Sequence, residues 1–477
     1  MIDQKFKLPS GWIEKKLGDN DVVQLIGGGT PSRKKSEYFG QEILWLKPEE
    51  IPKNRINIIS NSKEKLSKLG LEMTSSTKLI PKNSVLLTTR ASLGNVAIAG
   101  NDLTTNQGII SFKCSSLILN YYLAYWLLFH QKQLISKSFG STYDEISKTR
   151  LKELSILIPP IKEQNRIITK LNQFFSYIDL SEKSLSNARN QLIEYENSFF
   201  KSIFVGELTK KIEPSENIES LKEQFSSEHK KKNYIPDDYF KFNLELPDLP
   251  KNWMYVSLDF ISEHFQSGGT PLVTDPKNFA QDGIPLLKVE NIDTNGNISL
   301  LDNQLRLSAN SYKKQASSII KTDDILFNIV GPPLGVVGFV TNEFDNMNIN
   351  QALVLVRTIQ FYEPKLLFYC LKSPFYYNLM HHMGRGNRQD NIKSSDAKLI
   401  PIPLIPRNHQ KIILEKIEQF NENQKILSEK IESSLKQLSL LRLSILKQAF
   451  EGKLVPQDPN DEPAEKLLER IKNVKSQ

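Results

Sequence analysis

The sequence predicts an α/β protein: two duplicated mixed α/β domains joined and spaced by two long antiparallel coiled-coil-like helices. Three observations carry that expectation. Between His409 and Gln457, Ile417, Ile431, Leu438 and Ile445 share one seven-residue lattice, and Phe420, Leu427 and Leu441 share a second, three positions later. Glu163 to Leu208 repeats the pattern, with Leu171, Ile178, Leu185, Leu192 and Phe199 on the first lattice and Phe174, Ala188 and Tyr195 on the second. Ahead of each stretch lies the same succession of tight turns and short apolar runs.

That succession can be followed pair by pair. Pro9-Ser10-Gly11-Trp12 opens one copy and Leu249-Pro250-Lys251-Asn252-Trp253 the other. Gly28-Gly29-Thr30-Pro31 and Gly268-Gly269-Thr270-Pro271 are identical tetrads, whose glycines permit unusual backbone angles and whose proline fixes the exit. Ile43-Leu44-Trp45-Leu46-Lys47 matches Ile284-Pro285-Leu286-Leu287-Lys288, each a short apolar strand ending in lysine. Val85-Leu86-Leu87 and Ile325-Leu326-Phe327 read as buried strands fed by turns, and the pairs Asn106-Gln107 and Asn350-Gln351 repeat behind them. Tyr121 to Ile135 and Lys365 to Met380 are aromatic and helix-like. Ile156-Leu157-Ile158-Pro159-Pro160 and Ile400-Pro401-Ile402-Pro403 then deliver the chain to each long helix. The offset between copies drifts from 240 at the tetrads (268 against 28) to 246 in the helices (417 against 171), as small loop insertions in a duplicated fold require.

The expected division is a first globular domain over 1–160, a first spacer helix over 161–212, and a polar linker over 213–248 with a short helix around Ile218 to Phe225. The second globular domain follows over 249–405, the second spacer helix over 406–457, and a tail over 458–477. Glu163 to Ile203 spans about 60 Å at about 1.5 Å per residue, and such a stripe needs a partner; the sister helix has the same length and lattice. Gln424 interrupts the first lattice and is expected to fix register.

Composition narrows the function classes. A chain of 477 residues exceeds one ordinary core. No apolar run reaches the length of a membrane span, and the N-terminus shows no secretory pattern, so a cytoplasmic location is expected. Only Cys114 and Cys370 occur, which excludes a disulfide framework or a cysteine-based metal site. The formal charge of +8 and pI near 9.0 favour a polyanionic partner. No dinucleotide fingerprint, Walker loop or HExxH pair is present, and His381-His382 with Asp390 is unduplicated and reads as a set of surface groups rather than a metal site.

Two small domains on a rigid spacer, with positive charge and no catalytic constellation, point to reading two short stretches of duplex. Candidate contacts lie on turns leaving strands: Arg33, Lys34, Lys47, Arg90 and Thr142 in the first domain, and Lys288, Asn328, Arg385, Asn387, Arg388 and Gln389 in the second. The alternative is a coiled-coil scaffold with two protein-binding domains and no DNA recognition.

These residues resemble the specificity subunits of type I restriction-modification enzymes. The tetrads look like the starts of that family's two target recognition domains. Ile158-Pro159-Pro160-Ile161-Lys162-Glu163-Gln164, the run from Leu443 to Gln457 and the tail Asp461 to Leu468 look like its conserved regions. The resemblance spans essentially the whole chain. It implies a non-catalytic DNA-binding subunit that reads a split target, with the paired helices as ruler. It also implies two methyltransferase subunits carrying S-adenosylmethionine, and restriction/translocase subunits using ATP and Mg. The copies depart from one another where His409-Gln410 replaces Glu163-Gln164 and Ile400-Pro401-Ile402-Pro403 replaces the double proline.

Overall fold

The computed structural model describes residues 8–53, 55–90, 92–136, 145–228, 246–384 and 391–475. The chain forms two compact units, Met1–Ser186 with Ile431–Gln477, and Asn187–Lys430. Each contains a globular α/β part, the start of one long helix and the end of the other.

In the first unit, Ile13–Lys16 pairs antiparallel with Ser155–Ile158, so the entry and exit of the globular part lie side by side. The main sheet has five strands in the order Val23–Gly27, Ile109–Cys114, Val85–Thr88, Val96–Ala99 and Asn57–Ile59; only the last pair is parallel. Val85–Thr88 and Val96–Ala99 are buried at every position, which explains their unbroken apolar runs. Phe39–Gly40, Glu64–Leu66, Ile43–Leu46 and Thr104–Thr105 make a second, smaller sheet. The helix Asn120–Phe129 is apolar on nearly all sides and buried from Tyr122 to Leu128, so it packs as core rather than as a surface helix. The helix-like run expected from Tyr121 breaks at His130 before a second helix, Gln131–Ser136.

The second unit repeats the plan. Met254–Ser257 pairs with Pro401–Leu404, whose two prolines are tolerated because the ribbon has only this partner. Ser262–Ser267, Leu353–Thr358, Ile325–Asn328 and Val337–Phe339 form a four-stranded sheet, and Arg306–Leu307, Phe279–Leu287 and Asn348–Ile349 a three-stranded one. The run expected from Lys365 to Met380 is again two helices, Pro364–Lys372 and Pro374–Gly384, separated at Ser373 by the following proline. The linker helix runs Ile218–Glu228, with Ile218 and Phe225 buried.

Both long helices have 44 residues, Ile161–Phe204 and Arg407–Phe450, about 66 Å each at about 1.5 Å per residue. Within each unit their segments run antiparallel. In the second unit Phe199 stacks on Phe420 at 3.9 Å between ring centroids, and the Gln424 amide donates to the Leu192 carbonyl at 3.3 Å. The polar interruption therefore does bridge the helices. In the first unit Arg442 pairs with Asp179 (2.6 Å) and Glu182 (3.5 Å) while its guanidinium lies 4.7 Å over the Phe175 ring.

The stripes do not face a sister helix throughout. Ile167, Leu171, Phe175 and Ile178 join the globular core of the first unit together with Ile445, Leu446, Ala449 and Phe450. Ile413 and Ile417 join that of the second with Phe200, Ile203 and Phe204. A helix that begins on its own domain must bury its first turns there, so the first lattice serves core and seam in succession. The second lattice is mixed: Tyr195, Leu427 and Leu441 are exposed, whereas Phe420 is buried against Phe199 and Phe174 packs on the core of the first unit.

Both helices stop at a glycine with positive φ, Gly206 (74°) and Gly452 (68°). A β-carbon at Gly452 would come within 2.7 Å of Pro9, and one at Gly206 within 2.2 Å of Pro250. The end of each long helix is thus seated on the opening segment of the other copy.

Candidate nucleic-acid interface

The long helices are anchored by two pairs of buried side chains. The Trp12 indole donates to Glu163 Oε1 (3.1 Å), and the Trp253 indole donates to His409 Nδ1 (3.1 Å), whose Nε2 in turn donates to the Ile212 carbonyl (3.0 Å). The Glu-to-His departure between copies conserves an acceptor for the tryptophan. Burial pushes the Glu163 carboxyl above its ordinary range, the Trp12 hydrogen bond opposing it. Gln164 Nε2 donates to the Leu117 and Pro159 carbonyls while its Oε1 accepts from Leu119 N–H; Gln410 does the same with Phe361, Ile405 and Glu363.

The glycine tetrads are structural. A β-carbon at Gly28 would lie 1.9 Å from the Asn106 carbonyl oxygen, and one at Gly268 2.2 Å from that of Asn350. Thr30 donates its hydroxyl to Gln107, and Thr270 accepts from the Gln351 N–H at 3.3 Å. Two repeats that stand far apart in the sequence, the tetrad and the Asn-Gln pair, are one clamp. In the first unit the buried Trp45 indole also donates to the Gly29 carbonyl (3.1 Å). The clamp sets the direction in which the following loop leaves.

That loop carries Arg33, Lys34 and Lys35. Arg33 lies over the rings of Phe39 (4.9 Å) and Trp45 (5.4 Å) and pairs with Glu64 at 2.8 Å. Lys47 sits 5.4 Å over Trp45 and pairs with the same carboxylate. Hydrogen bonds from Arg33 first and Lys47 second hold Glu64 below the usual carboxylate range. Lys35 donates to the Tyr38 hydroxyl at 2.9 Å, and Lys34 is exposed between the braced cations. The structure therefore brings Arg33 and Lys47 together on one carboxylate, with Lys34 exposed next to Arg33 in the chain. Glu64, which organises the pair, lies on a neighbouring strand and carries no local motif in the sequence.

The other candidates are dispersed. Arg90 pairs with Glu145 at 2.8 Å and Lys288 with Glu290 at 3.3 Å, each near a strand end. Asn328 is buried, and its amide is spent within its own turn, donating to the Pro333 carbonyl (2.5 Å) and accepting from Val330 N–H (3.1 Å). Thr88, its counterpart, similarly accepts from Asn95 N–H at 2.9 Å, so this position braces a turn in both copies. Thr142, Arg385, Asn387, Arg388 and Gln389 lie outside the described residues.

Among the described residues no group of three or more His, Cys, Asp or Glu side chains is placed to hold a metal ion, and no helix is long and apolar enough to cross a membrane.

The family model for the type I restriction modification DNA specificity domain matches residues 9–189 and again 250–437, together well over half of the chain. The chain belongs to this family. The specificity subunit is 28% identical over 444 residues to the type I restriction enzyme MjaIX specificity subunit of Methanocaldococcus jannaschii, covering 90% of this chain and 92% of that one. It is 22% identical over 501 residues to the EcoKI specificity subunit of Escherichia coli K12, covering 98% and 96%. Its fold is shared with the HsdS subunit of Thermoanaerobacter tengcongensis, at a TM-score of 0.55 and 18% identity over 95% of this chain and all of that one. A chain from a study of complex assembly and conformational transition of the type I R-M system matches at a TM-score of 0.66 and 19% identity, over 94% of this chain and all of that one. By this family the protein is a DNA-recognition specificity subunit that takes part in a type I restriction-modification complex.

Proposed function

We propose that the subunit reads a bipartite DNA target, each globular domain taking one half-site across a nonspecific spacer. The duplication supports this reading: one scaffold occurs twice, with different side chains on the loop after each clamp. The target recognition domains are then residues 1–160 and 249–405, the spacer helices 161–212 and 406–457, with a linker at 213–248 and a tail at 458–477. The helix length sets the distance between half-sites. Arg33, Lys34, Lys47, Arg90, Thr142, Lys288, Arg385, Asn387, Arg388 and Gln389 supply backbone and base contacts.

Two methyltransferase subunits dock on the long helices and bring S-adenosylmethionine for adenine methylation. Restriction/translocase subunits add ATP- and Mg-dependent cleavage, and the assembly works in the cytoplasm. Mapping modified bases in cells that carry the intact system tests the reading. Two short defined half-sites around a fixed undefined spacer are expected. A single contiguous motif would refute it, as would duplex binding by the assembled complex that shows no salt dependence.

A further inference from the structure

We infer that the loop following the glycine clamp reads bases in both domains by opposite chemistry: Arg33 contacts a guanine in one half-site, and Leu272 and Val273 contact thymine methyl groups in the other. The inference rests on the bipartite reading above.

The same tetrad closes on the same Asn-Gln pair in both copies, its threonine bonding the Gln107 side chain in one and the Gln351 N–H in the other; Phe39 matches Phe279 and Lys47 matches Lys288, while Leu286 stands in place of Trp45. The residues presented differ. The first copy has Ser32-Arg33-Lys34-Lys35 and the second Leu272-Val273-Thr274-Asp275. A positively charged loop has become an apolar one at the same place.

Arg33 is built for oriented recognition. Its side chain is 57% exposed, yet its guanidinium carbon lies over two aromatic rings, and among the described residues its Nη2 is engaged by Glu64. A phosphate contact needs charge and little orientation, which the exposed Lys34 already offers. A planar fork held in place suits the paired N7 and O6 acceptors of guanine, the most frequent specific partner of arginine in the major groove. Holding it beforehand also reduces the ordering cost of binding.

Leu272 and Val273 are 75% and 65% exposed. Their loop is nevertheless fixed, because the Leu272 carbonyl accepts from Asp275 N–H (3.1 Å) and from the Asn278 amide (3.1 Å). Adjacent large apolar side chains held in water on a fixed loop gain by covering apolar surface, and the apolar feature of a base edge is the thymine C5 methyl.

The test uses the assembled modification complex with the full chain and duplexes carrying the target mapped from the wild type. Replacing the critical guanine of one half-site by 7-deazaguanine, which lacks N7, should weaken wild-type binding about ten- to hundredfold. Arg33→Ala should lose the guanine preference at that one position, and Arg33→Lys, which keeps a donor for N7 and O6 but not the planar fork, should weaken it. Their unchanged reading of the other half-site would show that the chain is folded. Leu272→Ala with Val273→Ala should abolish the preference for thymine over uracil in the second half-site alone. Uniform weakening of all sequences by Arg33→Ala, with a salt slope lower by about one, would mean a phosphate contact and overturn the inference. Unchanged base preferences in these variants would also overturn it. If the wild-type motif is not bipartite, the underlying reading fails first, before any variant is made.

Discussion

Replacing Gln410 by leucine removes three hydrogen bonds from the start of the second long helix while keeping most of the volume. The Nε2 group donates to the carbonyls of Phe361 (3.3 Å) and Ile405 (2.7 Å), and Oε1 accepts from Glu363 N–H (2.9 Å). Gln410 is fully buried, so water cannot readily replace it at these groups. Each buried group left unpaired costs roughly 1–3 kcal/mol, and a single substitution rarely exceeds about 5, so a loss of about 3–5 kcal/mol is expected. Because the chain has two units, one global unfolding curve would mix them. Hydrogen exchange followed by mass spectrometry separates them: protection should fall at the start of the second helix and in its unit, and remain elsewhere. Gln164→Leu should do the same in the first unit, through Leu117, Pro159 and Leu119. The two anchors share no partner, so the double variant should be near-additive. A loss under about 1 kcal/mol at Gln410 would refute the view that this glutamine ties helix to domain.

Two further outcomes follow from charge. Glu64→Gln releases Arg33 and Lys47 from their shared carboxylate; nonspecific duplex affinity should rise and its logarithmic salt slope steepen by about one, as read by titration at several salt concentrations. Glu163 is held above its ordinary range by burial, so the folded state binds its proton more readily than the unfolded one. Its contribution to stability therefore falls as pH rises from the ordinary glutamate value through the raised folded value. Glu163→Gln, which still accepts from Trp12, should flatten that part of the Tm-versus-pH profile; an unchanged profile would contradict it.

Much of this architecture was legible because duplication doubles every signal. Tetrads, strand-ending lysines and glycine stops each recur, and the recurrence separates a structural rule from coincidence. Each long helix ends just before a glycine with positive φ, Gly206 or Gly452, short of the 212 and 457 given to the spacer segments. What the stripe could not tell was its partner at each turn: Leu171 and Ile417 look like coiled-coil positions but bury in globular cores, because periodicity records burial and not what does the burying. The split helices after Tyr121 and Lys365 were blurred for the same reason, as fully apolar runs carry no period.

The interface was read less completely. Cations on turns could be picked out, and Arg33 and Lys47 do meet on Glu64. Glu64 could not be found that way, because it lies on a neighbouring strand with no local motif. Asn328 resembled a contact because it ends a strand, but a side chain there is as well placed to brace the turn, and its burial shows that it does so. The tetrad and the Asn-Gln pair gave no hint in sequence that they are one clamp, since only the folded sheet brings them together.

The central claim is that the paired helices measure the distance between two half-sites. Inserting one heptad into both, after Ser186 and after Lys430, preserves the apolar lattice and adds about 10 Å, about three base pairs of B-DNA. Mapping modified bases with the lengthened subunit in an intact system should return both half-sites unchanged and a spacer longer by about three base pairs. An active system with an unaltered spacer would contradict the account.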